Sequence, residues 1–462
     1  MTNFWDFSAW GFFNLIAVLL VALMGAHMLK RSIPWLQASL IPTSVLGGGI
    51  LLLISVIYKS ITGQEIFDTA FFGGKGTAWL ELLTYHMLAL GFTASALKTT
   101  GGKMGKQRAV EIFNTGLTTV STYILQALVG MLICIVAGIW LEDLLEASGL
   151  LLALGYGQGT GQAMNYGNTY ETDYGFVGGK SFGLTIAAMG FLSASIGGVI
   201  YLNVLKRQGK IKLDKGSGAS QEEVEGENEI PLQENLDKFT IQIALIMVAY
   251  LIAYLLMLLL GNLLPGMQNV IYGFNFLLGV LGATLLKNIM NFLQKKNIIH
   301  RNYTNNFLLN RATNFFYDIM VTAGVAAIRL DIIGQYWAVL LALGVAGLVA
   351  TFCYVHFISH KLFPNYAEQQ FLAMFGMLTG TASTGVILLR EIDGDFKTPV
   401  ADNLVYQNFP AMVFGLPILL LATMAPTQPY LTLIIVIIFF LVMNLLLFRS
   451  FLFRKKKTPA KV

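Results

Sequence analysis

The run Gly155-Tyr156-Gly157-Gln158-Gly159-Thr160-Gly161-Gln162 decides how this chain folds. It sets glycines, amides and a hydroxyl inside a stretch that is otherwise apolar. Glycine costs a helix roughly 1 kcal/mol per residue against alanine, so no regular helix runs through it. A second run, Gly376-Met377-Leu378-Thr379-Gly380-Thr381-Ala382-Ser383-Thr384-Gly385, breaks another apolar stretch about 220 positions later.

The surroundings of both breaks are those of a membrane. The chain is 55% hydrophobic and 12% charged, where soluble domains carry about 25% charged residues. Runs such as Phe12–Leu29, Ile241–Leu260 and Leu431–Phe448 reach the ~20 residues that span a bilayer. The formal charge of +5 sits in short loops between apolar spans, which is topogenic placement and not a nucleic-acid surface. Cys134 and Cys353 fall inside expected spans and read as buried thiols, not a disulfide framework. Asp6 replaces a basic leader and no small-residue cleavage site follows Leu29, so the first apolar run reads as a retained helix.

Outward from the breaks, the hydropathy plan occurs twice. The first copy (1–205) gives spans near 11–29, 35–58, 79–97 and 110–140, the broken segment 149–165, and a span near 176–205. Residues 206–238 form a polar linker, basic first and acidic later. The second copy (239–426) gives spans near 239–260, 266–286, 307–329 and 332–358, the broken segment 367–388, and a span near 401–425. A further span at 430–449 and a basic tail fill 427–462. An offset of about 225 residues superimposes the two copies.

Charge fixes the sidedness. With the N-terminus outside and each broken segment leaving on the side it entered, Lys30-Arg31, Lys98 to Arg108, Lys206 to Lys215, Lys287 to Arg301, His360-Lys361 and Arg454 to Lys457 are all cytoplasmic. Glu142, Asp143 and Glu146 then fall outside, and the C-terminus is cytoplasmic. Counting the breaks as full spans would export the Lys206–Lys215 run instead. The expected fold is therefore an all-α polytopic plasma (inner) membrane protein with two inverted five-helix repeats, each with a re-entrant loop, plus one extra helix. Such opposed interruptions mark a secondary transporter.

Broken backbone at membrane depth must face protein or water. Its free carbonyls and hydroxyls are hard ligands for Na⁺, and free N–H groups at half-helix starts suit a carboxylate. The expected site comprises Gly157, Gln158, Gly159, Thr160, Gly161 and Asn165 from the first break, with Thr379, Gly380, Thr381, Ser383 and Thr384 from the second. Thr160, Ser383 and Thr384 are the expected Na⁺ ligands, and Arg390 is either an anchor for a carboxylate or an ordinary positive-inside residue. Close helix packing is the competing reading of the glycines. Arg311 and Asp318 share one helix face by their spacing, while Glu81 and Glu111 read as interfacial charges.

These residues bring out a resemblance. Gly157-Gln158-Gly159-Thr160-Gly161-Gln162-Ala163 resembles the glycine-rich first loop (G-H-G-T-G-x-A) of the bacterial sodium/glutamate symporter family. Asp173-Tyr174-Gly175-Phe176 is similar to that family's R-Y-G-F, and Ile41-Pro42-Thr43-Ser44-Val45-Leu46-Gly47-Gly48 to its I-P-x-P-V-x-G-G. The second break departs, with Met377-Leu378-Thr379-Gly380-Thr381 in place of G-F-G-L-G. The resemblance implies a Na⁺-coupled symporter of L-glutamate or a related carboxylate, homodimeric, with no cofactor beyond the coupling ion. A Na⁺/H⁺ antiporter, the alternative on a similar fold, wants a carboxylate at the loop tips, where none occurs. A membrane-embedded enzyme would need a nucleophile–base or metal constellation within the spans, and none is legible.

Overall fold

A computed structural model describes residues 3–98, 105–211, 236–265, 268–394 and 397–449. Most of the polar linker and the basic tail lie outside the described residues. Within them the chain is helical, without strands. In chain order the elements are α1 (Phe7–Ser32), α2 (Thr43–Thr62), α3 (Gly76–Leu97), α4 (Lys106–Gly138), α5 (Thr160–Tyr174), α6 (Gly179–Arg207), α7 (Lys238–Leu263), α8 (Asn275–Lys295), α9 (Asn306–Ala326), α10 (Trp337–Leu362), α11 (Ala367–Thr379), α12 (Ala382–Arg390), α13 (Asn408–Met424) and α14 (Pro429–Leu447).

Among the described residues, nine helical segments are long and apolar enough to cross a membrane. They are built on α1 to α4, α6 to α8, α10 and α14. Two expected spans fall short of that measure. α13 has 17 residues with Pro417 inside. α9 has 21 residues but carries Asn306, Asn310, Arg311, Asn314 and Asp318. Its apolar face is buried against α3 and α2, while Arg311 and Asn314 stand exposed and the Asp318 carboxylate reaches Ser44 of α2.

The expected span 35–58 also needs correction. A short helix, Pro34–Ala38, comes first, Leu40 adopts φ 56°, and α2 starts only at Thr43. Pro42 explains the break: it offers no N–H and pushes Ile41 out of helical geometry. Hydropathy saw one apolar run there because both sides of the proline are apolar.

The helices pack as two bundles. The first combines α1, α2 and α3 with α7, α8 and α9; the second combines α4 to α6 with α10 to α14. Partners are exchanged between the two halves of the chain. α2 lies on α9 while α8 lies on α3; likewise α4 lies on α13 while α10 lies on α6. α14 covers α4, and the Tyr354 hydroxyl ties α10 to it by donating to Asn444 Oδ1 at 2.7 Å.

Candidate functional site

The first break follows α4 as a tight 3₁₀ turn, Glu146–Leu150, and then a single wide π turn, Ala153–Gly157. Such π turns leave backbone groups out of the regular ladder and cluster at functional sites. The segment runs antiparallel to α4, with Gly149 against Gly130 and Gly157 against Tyr123. At Gly159 the backbone takes φ 84°, ψ −173°, a region that only glycine occupies without strain. α5 then turns back along α6, placing Ala163 beside Gly183 and Gly167 beside Gly179.

The second break is an ordinary helical hairpin. α11 ends at Thr379, Gly380 makes the turn, and Thr381 caps α12 by accepting from Thr384 N at 3.4 Å. Gly376 and Gly385 lie back to back between the two legs. The Thr379 hydroxyl donates to Phe375 O at 2.6 Å, and the Thr381 and Thr384 hydroxyls are 3.3 Å apart. Ser383 lies on α12, with its side chain outside the described residues.

The two breaks meet. A β-carbon built on Gly159 would stand 3.9 Å from the Gly380 carbonyl oxygen. The Thr379 carbonyl rests on Gly190 of α6, where no β-carbon fits. Thr160 is fully buried against Gly324 of α9. Gly157, Gln158, Gly159, Thr160 and Gly161 are thus gathered with Thr379, Gly380, Thr381 and Thr384. Asn165 is apart from the tips, donating through Nδ2 to Gly273 O in the first bundle. Arg390 is exposed at the opposite end of α12, about 12 Å along the helix from its start.

Hydrogen bonding at the tips is incomplete. Among the described residues, Thr160 Oγ1 and both polar side-chain atoms of Gln162 are buried without a partner. An unsatisfied buried polar group costs about 1–3 kcal/mol, so each of these atoms calls for a partner from outside the described chain. Sequence reasoning missed three contributors from neighbouring helices. Gln126 of α4 lies between the breaks, and Gly190 and Gly324 form the floor beneath Thr379 and Thr160. Only Gln126 left a sequence signal, as a lone amide in the apolar run Tyr123 to Ala137.

One end of the molecule ties the bundles together. Lys180 of α6 pairs with Glu81 of α3 at 2.9 Å, and Arg329 N donates to Ser181 Oγ at 3.0 Å. Nearby, Lys59 contacts both Glu65 (2.5 Å) and Asp331 (2.7 Å). At the other end, Lys287 donates to Lys98 O at 2.7 Å within the first bundle, and Arg108 to Asn403 Oδ1 at 2.9 Å within the second.

A family model described as sodium/glutamate symporter matches residues 11–384, from α1 into the first turn of α12. No curated protein matches the chain.

Proposed function

The chain belongs to the sodium/glutamate symporter family, and from that premise we propose that it is a Na⁺-coupled symporter of L-glutamate or a related carboxylate, working by alternating access. It is an integral membrane protein of a transporter family. The observation that carries the mechanism is the meeting of Gly159 and Gly380. Two broken segments from distant parts of the chain bring irregular backbone to one place, where lipid could not satisfy it.

In this reading both breaks are re-entrant loops of an inverted repeat, dipping from opposite faces. The exchanged packing of α2 with α9 and α8 with α3 supports such a repeat. The basic end, with Lys287 and Arg108, is cytoplasmic, and the end with Glu81 and Lys180 is outside. Na⁺ is held by Thr160, Thr384 and Ser383 together with freed carbonyls. The first N–H groups of α5, which the helix leaves without partners, receive the substrate carboxylate. Arg390 stands at the cytoplasmic foot of the second loop, where it attracts anions.

The bundle that holds both breaks is the moving part, and the bundle of α1 to α3 with α7 to α9 is the scaffold. A membrane potential contributes about 2.3 kcal/mol per net charge per 100 mV. An anionic substrate therefore has to travel with enough Na⁺ to make the load positive. Reconstituted protein should accumulate labelled glutamate, aspartate or another small carboxylate only under an inward Na⁺ gradient. Uptake that is unchanged when choline replaces Na⁺ would overturn the reading.

A further inference from the structure

Gln126 belongs to neither break, yet it touches both. Its side chain is fully buried on α4. Nε2 donates to Leu378 O at 2.8 Å and to Thr351 Oγ1 at 2.9 Å. Leu378 O can only accept, so the amide nitrogen has to face it, and the side chain cannot be turned over. Both amide protons are used.

Leu378 lies in the last turn of α11. Carbonyls there have no partner within their own helix, and Gln126 supplies one. Fixing the nitrogen on the second hairpin aims the oxygen at the first break. Oε1 stands 3.0 Å from where a β-carbon on Gly157 would be, beside the Tyr123 ring that packs on the same glycine, so the absent side chain lets α4 bring this oxygen against the broken backbone. Among the described residues nothing donates to this oxygen, though it is buried. Thr160 Oγ1, just past the same break, is buried without a partner as well. Two neutral hard oxygens, one beside Gly157 and one on Thr160, thus lack a positive partner.

We propose that Gln126 Oε1 is a ligand of the coupling Na⁺ at the first break, linking cation binding there to the turn of the second hairpin. The assignment rests on the symporter reading and adds to it a ligand from outside both loops. It also supplies a physical route for coupling. A cation on Oε1 polarises the amide and strengthens its N–H bonds, as hydrogen bonds in a chain reinforce one another. The bond that tightens is the one to Leu378 O, directly before the Thr379–Thr381 turn. Na⁺ at one break then steadies the other.

The test follows Na⁺-dependent thermal stabilisation of the purified full-length protein, with choline chloride holding ionic strength constant, alongside Na⁺ and substrate half-saturation of uptake in proteoliposomes. Gln126→Met keeps the volume and removes the oxygen. It is expected to raise the Na⁺ half-saturation at least tenfold in both readouts. Gln126→Glu has to lose a proton before it can ligate, so its Na⁺ half-saturation is expected to fall as pH rises from 5 to 8, on the order of one decade per unit at most. This second variant decides the matter if the first does not fold. A wild-type Na⁺ response in Gln126→Met, or a response in Gln126→Glu no more pH-dependent than wild type, overturns the proposal. So does a shift confined to substrate half-saturation, which would give the oxygen to a substrate ammonium instead. Those outcomes leave the symporter reading standing; wild-type protein that neither responds to Na⁺ nor needs it for uptake removes both.

Discussion

The two breaks reach the same point by different means. The first uses a π turn and a glycine-only conformation, and it buries oxygens that nothing in the described chain satisfies. The second is a conventional hairpin whose Thr379 and Thr381 side chains are already engaged in local bonds. The contrast separates two tasks that the sequence lumps together. The first break carries unmet coordinating capacity, and the second contributes shape, a turn pressed against Gly159, freed carbonyls and, in the proposed reading, the hydroxyls of Ser383 and Thr384. The family match takes in the turn of the second hairpin and ends at residue 384, in the first turn of α12.

Substitutions can break that division. The largest effect is expected from Gly159→Ala. Its conformation costs a non-glycine residue about 1–3 kcal/mol or more and moves the tip off Gly380, so uptake should fall by about two orders of magnitude while the protein remains monodisperse. Gly380→Ala meets neighbours at 3.1 Å but no left-handed backbone, and a loss of roughly tenfold is expected. Equal losses for the two in parallel uptake assays would abolish the distinction.

Hydroxyl removal sharpens it further. Thr160→Val deletes an unsatisfied oxygen and should raise Na⁺ half-saturation about tenfold, near 1.4 kcal/mol of binding. Thr379→Val deletes a hydroxyl already bonded to Phe375 O, and a shift of about threefold or less is expected. A larger Na⁺ shift for Thr379 than for Thr160 would move the cation to the second break. The smallest effect belongs away from both. Glu81→Gln breaks a partly exposed pair with Lys180, worth about 1 kcal/mol or less of stability. Thermal unfolding should register only that, with Na⁺ half-saturation unchanged.

Much of this was legible in the residues, for reasons that also set the limit. The glycine run at 155–161 announced the first break because each glycine weakens a regular α-helix by roughly 1 kcal/mol, and the composition of 376–385 marked the second by its place in the plan. Hydropathy located most of the membrane-crossing helices but erred at Pro42, where apolar residues on both sides concealed a break. It also gave α9 the character of an ordinary span, although α9 is enclosed on one face and polar on the other. Gln126, Gly190 and Gly324 were beyond reach: a sequence shows which residues are unusual but not which distant helix faces them. Asn165 and Arg390 were taken with the site because they are near it in sequence, whereas helix geometry carries both away from the tips.

The exchange of helices between the halves has a consequence for how the protein is made. When α6 has left the ribosome, α1 to α3 and α4 to α6 each wait for partners that lie in the half not yet synthesised. The first bundle cannot close until α9 is inserted, and the second not until α13 and α14 follow. The early helices therefore have to be sheltered in the membrane, with polar tips and helix-facing glycines uncovered, for most of translation. By the same logic, two fragments divided between α6 and α7 and produced together have every surface needed to find each other, while either one alone has none of its bundles complete.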